Sequence, residues 1–207
     1  MSAQASTLVI LGAGGHGRVV ADAALLQGSW GRVVATDGDP ARCQGELLPG
    51  VALMSLEAAR SLGAHFHVAI GRAEAREREI AAWQGHEMAA VVHPQATVSR
   101  FADLGAACFV AAQAVVAPHA RLGVSVIVNH GAVIDHDCEV GGFTHVAPQA
   151  ALGGGVKIGA RVLVGSGARV LPGLSVCAGA TVGAGAVVTQ SIAEPGVYAG
   201  VPARRIR

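Results

Sequence analysis

The sequence predicts two architectures in series: a small parallel α/β domain over residues 1–90 and a repetitive all-β domain over 91–190, followed by a C-terminal loop and tail over 191–207. Three observations predict this. A β-branched segment runs straight into a glycine-rich turn and a helical pattern. Composition then changes near residue 90. From there on an aliphatic residue recurs every six positions.

The first ninety residues alternate strand and helix signals. In "TLVILGAGGHGRVVADAALLQG" the β-branched run Thr7 to Leu11 reads as a strand, the glycines as a turn, and His16 to Gln27 as a helix. "GRVVATDGD" is a second strand ending at Asp37, "HFHVAIG" a third, "RAEAREREIAAWQ" a helix, and "EMAAVV" a fourth strand leading into the repeat. The glycine turn spells Gly12-x-Gly14-x-x-Gly17, with Asp37 twenty residues past the last glycine. This is the Rossmann-like fingerprint, in which glycines admit a phosphate to the backbone, the helix start attracts it, and the acid meets ribose hydroxyls. Ninety residues supply half of a doubly wound dinucleotide site, so a mononucleotide or sugar nucleotide fits better than NAD. Ligands of parallel sheets collect beyond the carboxyl ends of the strands. On that ground Gly14, Gly15 and His16 fall at the phosphates, Asp37 and Gly38 at the base or ribose, and Gly71 beside them at a neighbouring strand end.

From Val92 through Val188 the six-residue period holds at seventeen places in succession, among them Val110, Leu122, Ile134, Val146, Ile158 and Val170. Two residues before each, from Val98 on, stands Ala, Cys, Val or Thr, with Leu174 the larger exception. Gly follows many of them, as at Gly105, Gly123, Gly141 and Gly159. A period of six matches neither a 3.6-residue helix nor an alternating strand.

Composition narrows the function. A formal charge of +1 offers no footprint for nucleic acid or an anionic membrane, so small molecules are the expected partners. "MSAQASTLVILGAGG" has no basic leader region, and no apolar run reaches the length of a spanning helix. Cys43, Cys108, Cys138 and Cys177 show neither CxxC pairing nor zinc-ligand spacing; they read as reduced structural thiols of a cytoplasmic protein.

The repeat resembles that of the left-handed β-helix acyltransferases, in which each hexapeptide forms one side of a triangular prism and eighteen residues one coil. The resemblance implies a left-handed parallel β-helix, its repeated aliphatic residue pointing inward and Gly or Asn easing the turns. Taken with "GAGGHG", the strand end at Gly71, "NHGAVIDHDCEVGGFTHVAP" and the closing "GVYAGVPARRI", the chain is similar to the sugar acyltransferases of the sialic-acid O-acetyltransferase and bacillosamine N-acetyltransferase family. The likeness implies an N-terminal domain that holds a nucleotide-linked amino sugar, acetyl-CoA lying along the coils between subunits of a homotrimer, and acetyl transfer to a sugar amino group.

Acetyl transfer from a thioester needs an unprotonated nucleophile and a base for its proton. His136 resembles the base of that family, and histidine suits the task because its ordinary pKa lies near 6.5. Asp137 matches the acidic neighbour that raises its basicity; a Glu stands there in the member compared, so the shorter Asp orients the ring less directly. By the same resemblance His145 contacts the acetyl end of acetyl-CoA. Gly154, Ser166 and Ala184 fall on the pantetheine groove, and Arg204 and Arg205 are placed to meet the CoA phosphates. Asn129 is a weaker candidate on the substrate side, because Asn is also a common corner residue. His136 and His145 stand nine residues apart, half of one coil. They cannot share a corner of one prism, so a site using both draws them from adjacent subunits.

Two other functions use the same fold or domain. Hexapeptide-repeat carbonic anhydrases bind zinc through histidines spaced five apart; His130 and His136 are six apart, so no metal is expected. A sugar O-acetyltransferase differs only in the acceptor, and a non-enzymatic trimeric nucleotide-binding module would have no use for "HDC" or "GVPARR".

Overall fold

The computed structural model describes residues 6–207; the opening "MSAQA", part of the stretch without a basic leader region, lies outside them. The chain forms two compact units, 1–94 and 95–207.

The first unit is a five-stranded sheet. Its elements are β1 (Thr7–Leu11), α1 (Gly15–Gln27), β2 (Arg32–Thr36), β3 (Glu46–Leu48), β4 (Val51–Leu53), α2 (Leu56–Ser61), β5 (His65–Val68) and α3 (Ala73–Ala82). The strand order is β3-β4-β2-β1-β5, parallel except for β3, which runs antiparallel to β4. β1 lies between β2 and β5, and its apolar run is buried on both faces, as a parallel strand between helices must be. Val9, Leu11, Val34, Phe66, Val68 and Trp83 form one core cluster, each large side chain contributing roughly 1.5–3 kcal/mol by leaving water. α1 ends at Gly28, whose φ of 69° lets its N–H cap the Leu25 carbonyl.

Two sequence expectations change here. β3, β4 and α2 go beyond the sequence expectation; β3 and β4 are three residues each, too short to show a period, and the turn between them rests on Gly50 at φ 84°. The expected strand in "EMAAVV" shrinks to one bridge, Met88 to Phe66, and the two-residue strand Val91–Val92. The Ala89 carbonyl is taken by the His67 ring at 2.9 Å, so the backbone leaves the ladder there.

The second unit is the left-handed parallel β-helix, its two-residue strands stacked in three sheets. One stack holds Thr97–Val98, Val115–Val116, Val133–Ile134, Ala151–Leu152, Arg169–Val170 and Val187–Val188; partners are eighteen residues apart, one coil. Val110, Val128, Ile134, Val146, Leu152 and Val164 are buried to 1% exposure or less, so the six-residue aliphatic series is the core. The small residues two places earlier are buried beside them. Where they are polar they donate to a carbonyl fifteen residues on: Cys108 to Gly123, Cys138 to Gly153 at 3.2 Å, and Thr144 to Gly159 at 2.8 Å. No interior hydroxyl or thiol among these is orphaned. All four cysteines are free.

From Ala107 to Gly185 every corner turns through a left-handed residue. Glycines such as Gly131 and Gly155 fill some of these places, but Ala107, Gln113, His119, Ser125, Asp137, Phe143, Gln149 and Arg161 fill the others at φ between 54° and 62°. For residues with a Cβ that conformation costs roughly 1–2 kcal/mol each. The stacked ladders hold it in place.

The segment 191–207 adds Val197–Ala199, parallel to Thr181–Val182, and an antiparallel partner, Arg204–Arg205.

Candidate functional site

In the first unit a cavity of about 430 Å³ opens beyond the carboxyl ends of β1, β2 and β5. Gly14, Gly15, His16, Asp37, Gly38 and Gly71 all line it. The glycine turn is shaped by close approach: a Cβ on Gly17 would collide with the Gly12 carbonyl oxygen, while one on Gly14 would meet nothing within 4 Å and project into open space. α1 begins without a side-chain cap at Gly14, so its first amides are left for an anion. Asp37 does more than line the wall. Its Oδ2 accepts from the Ala13 amide at 2.8 Å and its Oδ1 from the Asp39 amide at 3.0 Å, so the carboxylate ties the end of β2 to the turn.

Sequence reasoning missed Arg42, Arg72, Glu79 and Ile70 on the same wall. A second cavity of about 410 Å³ shares Gly14 and Arg42 and adds Arg18, Gln44 and Glu46. Arg18 and Arg42 thus put two guanidinium groups at the glycine turn. Arg18 sits one residue beyond the fingerprint and could have been found from that spacing; Arg42 lies in a loop without a pattern.

In the second unit His136 and Asp137 sit at a corner of the prism. The His136 Nδ1 is 2.7 Å from the Asp137 Oδ2, and both side chains are about 60% exposed (60% and 61%). Asp137 is the left-handed residue of this turn, φ 58°, which aims its carboxylate back at the neighbouring ring. The hydrogen bond from Asp137, then the charge of Asp135, raises the His136 pKa above its ordinary 6.5. With Nδ1–H donating to Asp137, Nε2 is left as the acceptor. The Asp135 carboxylate also accepts from the His136 amide at 2.7 Å. Short as it is, Asp137 reaches the ring directly.

Gly154 lies one coil after His136, and a Cβ there would stand 2.6 Å from both Cε1 and Nε2 of the imidazole. The structure therefore puts this glycine under the ring. Ser166 and Ala184 stack on another corner, where the Gly185 amide donates to the Ser166 carbonyl, and both are exposed. Asn129 and His145 come together: the Asn129 amide nitrogen is 3.1 Å from His145 Nε2, and its oxygen accepts from the His130 amide. His145 faces outward from a strand half a coil away from His136. Arg205 is held by Glu194 at 2.8 Å and by the carbonyls of Pro195 and Arg207, whereas Arg204 is exposed and bonds the Ala203 carbonyl. Among the described residues no three His, Cys, Asp or Glu side chains converge as metal ligands.

Outward side chains differ sharply between faces of the prism. One stack presents Asp103, Arg121, Glu139 and Lys157 in register, with Arg121–Glu139 at 3.1 Å and Lys157–Glu139 at 3.7 Å. Another presents Thr97, Val115, Val133, Ala151, Arg169 and Val187, apolar over its three middle residues Val115, Val133 and Ala151.

Residues 7–82 match the family described as the PglD N-terminal domain. The acetyltransferase domain of PglB from Neisseria gonorrhoeae FA1090 is 36% identical, over 97% of this chain and 99% of that one, with a TM-score of 0.89. The same domain in complex with acetyl coenzyme A matches at 35% identity, 98% and 100% coverage and a TM-score of 0.90. PerB from Caulobacter crescentus, in complex with CoA and GDP-perosamine, is 33% identical over 99% of each chain, with a TM-score of 0.89.

Proposed function

Because this chain belongs to the hexapeptide-repeat sugar acyltransferases, we propose that it transfers the acetyl group of acetyl-CoA to the amino group of a nucleotide-linked 4-amino-4,6-dideoxy hexose, for surface glycan synthesis. The His136 imidazole carries this reading: Asp137 holds Nδ1, the ring lies over Gly154, and Nε2 is presented at an exposed corner. A neutral sugar amine forms the C–N bond to the thioester carbonyl carbon while Nε2 takes its proton. The C–S bond then breaks and the proton passes to the departing sulfur. Asp137 stabilises the imidazolium formed in between.

The nucleotide end of the substrate belongs in the cavity of the first unit, with the diphosphate at the uncapped start of α1 between Arg18 and Arg42. Acetyl-CoA is assigned to the β-helix, with His145, Ser166, Ala184 and Arg204 toward it; Arg205, already paired with Glu194, contributes less. The working form is a homotrimer in the cytoplasm. The apolar stretch Val115–Val133–Ala151 is the part of its surface suited to a second copy, and the charged column the part suited to water.

The test is acetyl-CoA consumption across UDP-, GDP- and dTDP-linked amino sugars, GDP-perosamine included, with the hydroxyl analogues beside them. Turnover of an amino sugar and none of its hydroxyl analogue is expected. Turnover of the hydroxyl compounds alone would make the enzyme an O-acetyltransferase.

A further inference from the structure

Arg76 lies in the first turn of α3, where the helix dipole disfavours a cation, and its side chain is completely buried. A guanidinium in such a place is costly unless its donors are used. Two of its contacts explain it: Nη1 donates to the Ile70 carbonyl at 3.1 Å and to the Gly71 carbonyl at 2.7 Å. These are consecutive peptide groups at the end of β5, in the segment Ile70–Gly71–Arg72 that lines the first-unit cavity.

The peptide planes transmit the consequence. In a trans peptide the C=O of one residue and the N–H of the next point opposite ways. With the Ile70 and Gly71 carbonyls both turned to Arg76, the Gly71 and Arg72 N–H groups both turn away from it. Neither N–H has an acceptor within the described chain. Two successive amides aimed the same way form a small donor concavity of the kind that takes up an anionic or carbonyl oxygen. A Cβ at Gly71 would meet nothing within 4 Å, so the space above the pair is open.

We propose that Arg76 is a positioning residue for the nucleotide: by gripping the Ile70 and Gly71 carbonyls it turns the Gly71 and Arg72 amides into the cavity, where the pair receives one acceptor oxygen of the ligand. This rests on the reading that the cavity holds the nucleotide end of the substrate. The oxygen belongs either to the base or to the diphosphate, and the shared chemistry is acceptance of two backbone hydrogen bonds.

The test uses the whole protein. UDP, GDP and dTDP are titrated by calorimetry, and the tightest binder is then added to ¹⁵N-labelled wild-type protein. The Gly71 and Arg72 amide protons should move downfield at saturation. Binding of the nucleotide with both amides unmoved overturns the proposal, whereas failure of all three nucleotides to bind overturns the assignment of the cavity itself. Titration with the matching nucleoside assigns the oxygen: the same shifts point to the base, their absence to the phosphates. In kinetics, Arg76→Met should raise KM for the nucleotide sugar roughly tenfold, the effect of losing one or two such hydrogen bonds. Its kcat and its KM for acetyl-CoA should stay within about twofold, which loss of the fold would not allow. A fall in kcat with KM for the nucleotide sugar unmoved, or an equal rise in both KM values, overturns the proposal, and the wild-type amide shifts decide it if that variant does not fold.

Discussion

The two units solve opposite problems with their turns. In the glycine turn of the first unit the backbone is the instrument: Gly17 has no room for a Cβ against Gly12, and Gly14 leaves its side of the cavity bare. At many corners of the β-helix a left-handed geometry is held by residues with side chains, and one of them, Asp137, orients the His136 ring. Recognition of a diphosphate needs amides that nothing covers, whereas proton transfer needs a side chain aimed from a fixed point. The first turn therefore admits no Cβ at Gly12 or Gly17 and keeps Gly14 bare toward the cavity, and the second tolerates strain for the sake of its side chain.

This contrast can be broken at either end. The largest effect is expected at Gly17→Ala, which should destroy the first unit outright; loss of soluble protein or of the α/β circular-dichroism signal would show it, and a well-folded variant would contradict the steric account. Next comes His136→Ala, which should lower kcat by about 10²-fold or more while acetyl-CoA affinity, read by calorimetry, stays put. Gly154→Ala should have a smaller effect of the same kind, roughly tenfold in kcat, because a Cβ 2.6 Å from Nε2 displaces the base without removing it. Gly14→Val fills open space at the cavity wall and should raise KM for the nucleotide sugar alone. Subtlest is Asp137→Asn: because Asp137 raises the His136 pKa, the rising limb of the pH–rate profile should lie above pH 6.5 in the wild type and move to lower pH in the variant.

A separate pH effect belongs to the first unit. Burial, opposed by the bond to the Ala89 carbonyl and reinforced by the charge of Arg76, lowers the His67 pKa to about 4. The unfolded chain, with a histidine pKa near 6.5, binds more protons than the folded one between these values. Stability from this group is thus full above pH 6.5 and declines as the pH falls toward 4, by roughly 3 kcal/mol in all. Thermal melts over that window should show the slope, and His67→Asn should flatten it.

Much of this was legible in the sequence, for reasons that differ by region. The six-residue period declared the β-helix because every coil repeats one burial pattern, and Val110 to Val188 are buried as that pattern requires. The fingerprint declared the first cavity because Gly12, Gly17 and Asp37 act locally, through the backbone between neighbouring strands. What stayed hidden depends on partners far along the chain. Gly154 meets His136 only after a full coil, and the resemblance that assigns it to the cofactor groove says nothing of that contact. Arg76 looks in sequence like one more charge in "RAEAREREI", and only its burial sets it apart. Arg205 reads as a free cation until the C-terminal strands bring Glu194 to it.

The column Asp103–Arg121–Glu139–Lys157 has a consequence for how the chain finds its coils. A repeat this regular invites a strand to skip a neighbour and pair two coils away, since the aliphatic interior would fit almost as well. On this face such a skip would set Asp103 against Glu139 and Arg121 against Lys157, like against like. Each pair is worth little in the finished protein. As a proofreading mark it penalises every skipped coil along the column, in a stretch where the buried residues cannot tell one coil from the next.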